Sequence, residues 1–153
     1  MTPSHLGGFH MPPPGPEPAE PGTQAEPLDD AVFAAHANFR RTLREFLRFS
    51  ERAARQAGVT PEQHQMLLAI RGAARPWMLV GEIATALMVA PHSALGLVER
   101  AAAAGLVHKE RDPDDHRKVR VSLTPAADIL IRDLTLAHGA ELRRLWRQIP
   151  PPE

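Results

Sequence analysis

A chain of 153 residues is long enough for one compact core, and the absence of cysteine excludes disulfides, thiolate catalysis and thiol-based redox sensing. The net charge is zero, but five acidic residues precede the first basic one, Arg40, so residues 31–153 carry five more basic than acidic residues. A basic folded region is compatible with a nucleic-acid partner. No apolar run approaches the roughly 20 residues that span a bilayer, and no secretory signal pattern is present, so a cytoplasmic location is expected.

Both ends of the chain are rich in proline. Eight of the sixteen prolines lie within the first 27 residues, and three more occupy positions 150–152. These stretches contain too few apolar side chains to offset the entropy lost on ordering. We therefore expect a disordered tail over 1–30, a folded domain over 31–148 and a short Pro-rich tail over 149–153. A polyproline ligand for a partner domain is an alternative interpretation of the first tail.

The first two predicted elements are helices. Over 31–57, apolar residues recur at steps of three and four between arginines, which indicates a long amphipathic helix that Gly58 ends. Thr60-Pro61-Glu62-Gln63 then supplies a capping hydroxyl, a proline at the first helical position and a glutamine that completes a capping box. The second helix is therefore expected to run from 61 to about 72, followed by a short extended segment over 77–80.

Two short helices with helix-turn-helix spacing come next. They are predicted over 81–88 and 91–104, with a turn of about three residues between them. The inward stripe of the second helix consists of Ala94, Leu97, Val98 and Ala101. Its opposite face carries small or compact residues near its N-terminus, so that face can approach another surface closely, and the major groove of DNA is one such surface.

A hairpin and a last helix complete the predicted fold. Gly105 ends the preceding helix, and strands are expected over 106–111 and 119–123. The loop between them, Asp-Pro-Asp-Asp-His-Arg-Lys over 112–118, is too polar to belong to a core and predicts a wing. Thr124-Pro125 caps a final helix over 126–148 that is too apolar to stand alone. The expected fold is mainly α with a small β-hairpin wing.

Three motifs resemble the signature of the MarR family of winged helix-turn-helix transcriptional regulators. They are Gly105-Leu106-Val107, the wing sequence Asp-Pro-Asp-Asp-His-Arg over 112–117, and Val-Arg-Val-Ser-Leu-Thr-Pro over 119–125. The resemblance covers roughly residues 31–148 and has no gap from 81 to 125. It implies a homodimer in which helices 31–57 and 126–148 form the dimer interface and residues 60–124 form a DNA-binding lobe.

The resemblance also implies how the lobe binds double-stranded DNA, with helix 91–104 in the major groove and the wing in the adjacent minor groove. The expected recognition-helix contacts are Pro91, His92, Ser93, Leu95 and Gly96. The expected wing residues are Lys109, Arg111, Asp115, His116, Arg117, Lys118 and Arg120, of which the lysines and Arg111 and Arg120 would contact the DNA backbone. Arg117 matches the family's wing arginine, which Asp115 holds. A guanidinium in a narrow minor groove meets concentrated negative potential, and a nearby carboxylate fixes its direction.

The chain departs from the family at two places. Many members carry an arginine on the recognition helix where this chain has Leu95 and Gly96, so base reading is expected from His92 and Ser93, from Leu95 against a thymine methyl, and from DNA shape. The segment Pro-His-Ser-Ala-Leu-Gly-Leu-Val over 91–98 resembles a variant of the family helix. Members also usually continue into a further helix, whereas prolines follow Ile149 here. The expected dimer contacts are therefore Phe39, Leu43, Leu134, Leu142, Leu145 and Trp146.

Other kinds of site have little support in the sequence. No two of the eight histidines stand at i, i+3 or i, i+4, so no metal site is expected. Asp112, Asp114 and Asp115 are interpreted as partners of neighbouring basic groups. No catalytic motif occurs, so we expect neither an enzyme nor a cofactor.

The resemblance implies a repressor that leaves a palindromic operator when a small molecule binds, and members of the family often respond to phenolic or other aromatic compounds. A rival hypothesis is a winged-helix module that binds protein and has no specific DNA binding, motivated by the weakly polar reading face and the zero net charge. The arginines of the first helix are interpreted as a solvated face, with contact to DNA in the dimer as the alternative.

Overall fold

The computed structural model describes residues 29–147, so the tail predicted over 149–153 and nearly all of that over 1–30 lie outside the described residues. In chain order the elements are α1 (Asp30–Gln56), α2 (Pro61–Gly72), β1 (Trp77–Leu79), α3 (Val80–Leu87), α4 (Pro91–Ala103), β2 (Val107–Arg111), β3 (Val119–Leu123) and α5 (Pro125–Trp146). Each predicted helix and strand is present, and the boundaries differ only at element ends, where helices fray. The prediction of a mainly helical fold with a β-hairpin wing is confirmed.

Local sequence signals set the helix ends. The Thr60 hydroxyl accepts a hydrogen bond from the Gln63 N–H (3.1 Å), and the Gln63 side chain accepts one from the Thr60 N–H (3.0 Å), which confirms the capping box. Gly58 (φ +83°) and Gly105 (φ +73°) follow α1 and α4 with left-handed backbone. Glycine adopts this conformation without steric cost, so these two positions end their helices.

The turn between α3 and α4 depends on Met88, which has left-handed backbone (φ 54°) although it is not glycine. Its N–H donates to the carbonyl of Thr85 (3.1 Å), and the N–H of Val89 donates to the carbonyl of Ala84 (3.0 Å). These bonds close the end of α3, and the two helices meet at 109°. Among residues 29–147 no single helix is long and apolar enough to cross a membrane, and α3 with α4 passes that test only as a bent pair.

A third strand, β1, pairs with the hairpin formed by β2 and β3. The sheet is antiparallel with the order β1-β3-β2, so the segment predicted only as extended pairs with the second strand of the wing. Trp77 lies opposite Ser122, and Leu79 lies opposite Arg120. This pairing joins the start of the helix-turn-helix to the base of the wing.

The main core lies between α2, α3, α4, the sheet and the first half of α5. Met66, Leu67 and Ile70 of α2 are buried at its centre, together with Val121 of β3 and Ile131 of α5. The stripe predicted for α4 is confirmed, because Ala94, Leu97, Val98 and Ala101 are all buried. Since α4 packs by this stripe, its opposite face is left on the surface beside the wing.

Candidate nucleic-acid interface

The outer face of α4 is open and carries few long side chains. Pro91, His92, Ser93 and Leu95 are exposed, and Gly96 is half-buried. A Cβ added at Gly96 would meet only a guanidinium nitrogen of Arg100, at 3.3 Å. Packing inside the protein therefore does not require glycine at this position. Because glycine has no side chain, another molecule can approach the helix closely at this position.

The wing turn is built around the buried carboxylate of Asp112. One of its oxygens accepts hydrogen bonds from the N–H groups of Asp114 (2.8 Å) and Asp115 (2.9 Å), and the other accepts one from Nε of Arg120 (2.7 Å). The hydrogen bond from Arg120, followed by those from the two backbone N–H groups, lowers the pKa of Asp112 despite its burial. A charged Asp112 thus fixes the shape of the loop.

At the tip of the wing, Asp115 holds Arg117 in a two-pronged ion pair. Nε lies 3.0 Å from Oδ1 and Nη2 lies 3.2 Å from Oδ2, while the backbone N–H of Arg117 donates to Oδ1. The Arg117 side chain is nevertheless 91% exposed. These contacts confirm the predicted pairing, and they lower the pKa of Asp115. The result is an exposed guanidinium that a carboxylate holds through two of its nitrogens.

The other basic residues of the wing divide into two groups. His116 and Lys118 are exposed at the tip. Lys109 is exposed on β2, and its ammonium lies 2.6 Å from a carboxylate oxygen of Glu99 on α4, while Arg111 donates to the carbonyl of His116 (3.4 Å). The Lys109–Glu99 pair brings the wing and the recognition helix together on one surface.

Arg120 requires a correction. We expected it to contact the DNA backbone, but its side chain is only 19% exposed and is bound to Asp112. Its guanidinium carbon also lies 4.0 Å from the ring centre of Trp77. Because β1 pairs with β3, Trp77 is a diagonal neighbour of Arg120 on the same face of the sheet. Arg120 therefore serves the internal structure of the wing.

Trp77 contacts two arginines, an arrangement that the sequence analysis did not identify. The guanidinium carbon of Arg75 also lies 4.0 Å from its ring centre, and Arg75 forms an ion pair with Glu82. Glu82 in turn accepts the N–H of Leu79 (2.8 Å) at the start of α3. Burial raises the pKa of Glu82, but the hydrogen bonds from Arg75 and Leu79 outweigh it and the pKa is lowered. An unbroken series of contacts thus runs from the start of α3, through the ring, to Arg120.

Comparison with known proteins agrees with this geometry. The MarR family model matches residues 57–118, which extend from the end of α1 through the wing tip. Over these residues the chain is similar to the MarR family. A comparison with curated protein sequences gives no significant match.

Several solved structures share the fold of most of this chain. AbsC, a MarR family transcriptional regulator from Streptomyces coelicolor, is similar with a TM-score of 0.68, 22% identity and coverage of 84% of this chain and 86% of that chain. A MepR mutant of S. aureus bound to an oligodeoxyribonucleotide has a TM-score of 0.61, 19% identity and coverage of 80% and 86%. BpsR of Bordetella bronchiseptica has a TM-score of 0.62, 21% identity and coverage of 82% and 88%. At these identities the likeness establishes the fold.

Two buried histidines that the sequence analysis did not single out as a pair lie together where α1, α2 and α5 meet. The rings of His64 and His138 are 4.8 Å apart, and Phe46 and Phe49 contact His138 edge-on. Nδ1 of His138 donates to the carbonyl of Leu134 (2.6 Å), and Nε2 lies 2.8 Å from the Ser50 hydroxyl. Burial, and to a smaller extent His138, lowers the pKa of His64.

The residues expected at a dimer interface also need a correction. Leu134 (6% exposed) and Leu145 (2%) are buried against their own chain, so they offer almost no surface to a partner. The other four, Phe39, Leu43, Leu142 and Trp146, are exposed and line a shallow apolar groove of about 90 Å³ between α1 and α5. The 3.6-residue period places a residue on the apolar side of a helix, but it does not say which of two neighbours covers it.

Proposed function

We propose that this chain is a sequence-specific regulator of transcription that binds double-stranded DNA as a homodimer on a palindromic operator and represses in its unliganded state. The observation that carries the proposal is the wing tip, where Asp115 holds the highly exposed guanidinium of Arg117. A buried carboxylate shapes the loop beneath it. A protein needs such a device when a cation must enter a narrow groove of high negative potential.

The recognition helix complements the wing. Its exposed N-terminal turn carries His92 and Ser93, which can form hydrogen bonds with base edges, and Leu95, which can contact a thymine methyl. The ion pair of Glu99 with Lys109 keeps this helix beside the wing. One lobe would then place a helix in the major groove and a guanidinium in the adjacent minor groove. The similar MepR structure is bound to an oligodeoxyribonucleotide, which supports binding to DNA.

We propose a homodimer because a single chain has an apolar surface that is exposed to water. The exposed apolar residues of α1 and α5 are Phe33, Phe39, Leu43, Leu47, Ile129, Leu136, Leu142 and Trp146. Burying such a surface is favourable in proportion to its area, and a second copy provides a matching face through two-fold symmetry. Two recognition helices would then meet two half-sites about one helical turn apart.

The response to an effector is the least direct part of the proposal. A small molecule can weaken operator binding only if it favours a dimer geometry whose recognition helices do not match the half-sites. We expect an aromatic or phenolic compound that binds between the dimer helices and the lobe. The similar BpsR is described as regulated in its DNA binding by 6-hydroxynicotinic acid.

The test is binding to the DNA that flanks the protein's own gene, measured by footprinting and by affinity across a salt series. We expect a protected palindrome and an affinity that falls linearly in log salt, with Arg117→Ala weakening binding and lowering the slope by about one. Arg132→Ala is a matched control, because this exposed arginine of α5 also pairs with an aspartate. Absent or salt-independent binding would instead favour the protein-binding module, for which the exposed Met88, Val89 and Leu95 provide an apolar surface.

A further inference from the structure

Three exposed apolar residues lie at the start of the recognition helix α4. Met88 and Val89 are in the turn between α3 and α4, and Leu95 is on the exposed side of α4. They are 92%, 41% and 45% exposed, and Met88 is the most exposed large apolar residue in the range 29–147. We call these three residues the turn surface. Because they fall within eight consecutive positions, they indicate a binding surface.

The backbone of Met88 is independent evidence that its side chain has a binding role. Met88 has left-handed backbone (φ 54°, ψ 44°), which glycine and asparagine adopt at lower cost. Gly58 and Gly105 occupy this conformation at the ends of α1 and α4. Since Met88 is 92% exposed, its side chain buries little apolar area that could offset the cost. Residues that hold such a conformation without gaining stability are concentrated at functional sites.

The charges around the turn surface favour DNA as its partner. The first turn of α4 contains no acidic residue, and its N-cap Ala90 has no side chain that caps the helix, so the start of α4 carries a partial positive charge. The ion pair of Lys109 with Glu99 joins α4 to the wing, whose tip carries the exposed Arg117. An apolar surface among positive charges suits a duplex, because its phosphates attract cations while its major groove contains apolar groups.

The apolar group of the major groove is the 5-methyl group of thymine, which no other base of ordinary DNA carries. The side chains of the turn surface match it, because none of them has a strong hydrogen-bonding atom. Methionine is also unbranched and polarisable, so Met88 can adapt to the position of a methyl group. Gly96 has no side chain, which allows α4 to come close enough for Leu95 to reach the base edges.

We propose that Met88, Val89 and Leu95 contact thymine 5-methyl groups in each half-site, so that the operator has thymines opposite the turn surface. This inference rests on the proposed function and deepens it, because it names the chemical group on the DNA and adds two turn residues to those that determine specificity. It also accounts for base recognition by a helix that has Leu95 and Gly96 where an arginine would contact guanine.

The experiment compares thymine with deoxyuridine, which lacks only the methyl group and keeps the same hydrogen-bonding atoms. Binding sites are first selected from a library of random duplexes with the full-length protein. The selected duplex is then synthesised with either base at every thymine position, and affinities are measured by fluorescence anisotropy. We expect thymines at fixed positions of both half-sites. The uracil duplex should bind at least about tenfold more weakly, since each buried methyl group contributes about fourfold.

A combined variant assigns this methyl effect to the turn surface. Met88→Asn suits left-handed backbone, and Val89→Ser and Leu95→Ala shorten exposed side chains, so the protein should keep its stability in urea unfolding. The ratio of thymine to uracil affinity should fall below about twofold in Met88→Asn/Val89→Ser/Leu95→Ala. Leu68→Ala is the matched control, because Leu68 on α2 is also 45% exposed. It should leave the ratio unchanged.

The wing provides a second control, because uracil can also alter the shape of the minor groove. Arg117→Ala should weaken binding to the thymine and uracil duplexes by the same factor. If the ratio of the two affinities disappears in Arg117→Ala, the methyl groups act through the minor groove, and the inference is overturned.

The outcomes separate this inference from the proposed function. Equal affinity for the thymine and uracil duplexes overturns the inference and leaves sequence-specific DNA binding in place. An unchanged ratio in the combined variant overturns the assignment to Met88, Val89 and Leu95. If the random library yields no preferred sequence, the proposed function fails and this inference fails with it, and the turn surface is then assigned to a protein partner.

Discussion

The guanidinium carbon of Arg120 lies 4.0 Å from the ring centre of Trp77, and that of Arg75 lies at the same distance from the same ring. Both guanidinium groups therefore contact the same indole ring. Each arginine also forms an ion pair, Arg75 with Glu82 and Arg120 with Asp112. This arrangement stabilises two like charges close together and fastens β1 to the strand that leads out of the wing.

Replacement of Trp77 should therefore loosen the wing. We expect Trp77→Ala to lower the free energy of unfolding by about 2 kcal/mol, since two cation–π contacts are lost along with buried apolar area. Trp77→Leu keeps apolar volume without a π face, and Trp77→Phe keeps a ring, so Phe should retain more stability than Leu. The free energies of unfolding of the three variants are measured by urea titration followed by circular dichroism. Equal losses for Leu and Phe would show that the stacked arginines contribute nothing.

Asp115 should act on specificity more than on overall affinity. Asp115→Asn removes a negative charge near DNA, so binding to non-specific DNA should strengthen slightly. It also frees Arg117 to adopt many directions, so affinity for the specific site should drop, and the ratio of specific to non-specific affinity should fall several-fold.

A double-mutant cycle provides the check on Asp115. In an Arg117→Ala background, Asp115→Asn should leave that ratio almost unchanged, because the group that the carboxylate orients is gone. Both affinities are measured by fluorescence anisotropy at one salt concentration. A full loss of specificity in that background would mean that Asp115 acts on the loop and not through Arg117.

Replacement of Gly96 by alanine should raise the stability of the protein and lower its affinity for DNA. An alanine Cβ there meets only the flexible end of Arg100, so Gly96→Ala should raise the free energy of unfolding by up to about 1 kcal/mol, as expected inside a helix. If the recognition helix lies close to the groove, the same methyl group should weaken DNA binding. Gly139→Ala on α5, where a Cβ meets the end of Arg143 at 3.5 Å, is the control. Gly139→Ala should show a similar gain in the free energy of unfolding. If Gly96→Ala binds DNA as tightly as the unchanged protein, the recognition helix does not come close to the DNA at this position.

His64 should make stability depend on pH. Its folded-state pKa is lowered, first by burial and then by His138, so the unfolded chain takes up a proton at a higher pH than the folded one. The free energy of unfolding should therefore fall as pH decreases below about 6.5, by no more than about 1.4 kcal/mol per pH unit for one proton. His64→Phe, which suits the neighbouring rings, should flatten this dependence in denaturant titrations between pH 7.5 and 5.5. His92→Gln, at an exposed position, should leave the slope as it is.

The exposed and buried leucines should behave differently when they are replaced. Leu43→Glu puts a charge on the exposed groove between α1 and α5, so sedimentation should show a monomer. Leu145→Ala removes a side chain buried within one chain, so it should lower the free energy of unfolding by about 2–5 kcal/mol. A Leu43→Glu protein that stays dimeric would place the two-fold contact on another surface.

Features that depend on neighbouring residues could be predicted from the sequence. The capping box of Thr60 and Gln63, the glycines that end α1 and α4, and the pairing of Asp115 with Arg117 all join residues within a few positions. Their geometry follows from local backbone conformation alone. The buried stripe of α4 could also be predicted, because a helix repeats every 3.6 residues whatever it packs against.

Features that depend on strand pairing and helix packing could not be predicted in the same way. The register of β1 against β3 decided that the guanidinium of Arg120 meets the ring of Trp77. The crossing of α1 and α5 decided that Leu134 and Leu145 are covered by their own chain, and it joined His138 to Ser50, 88 positions away. The amino-acid sequence determined where each element begins, which side of it is apolar and how the wing tip is built. Only the tertiary structure decided which side chains cover one another, since contacts between distant positions depend on how whole elements pack.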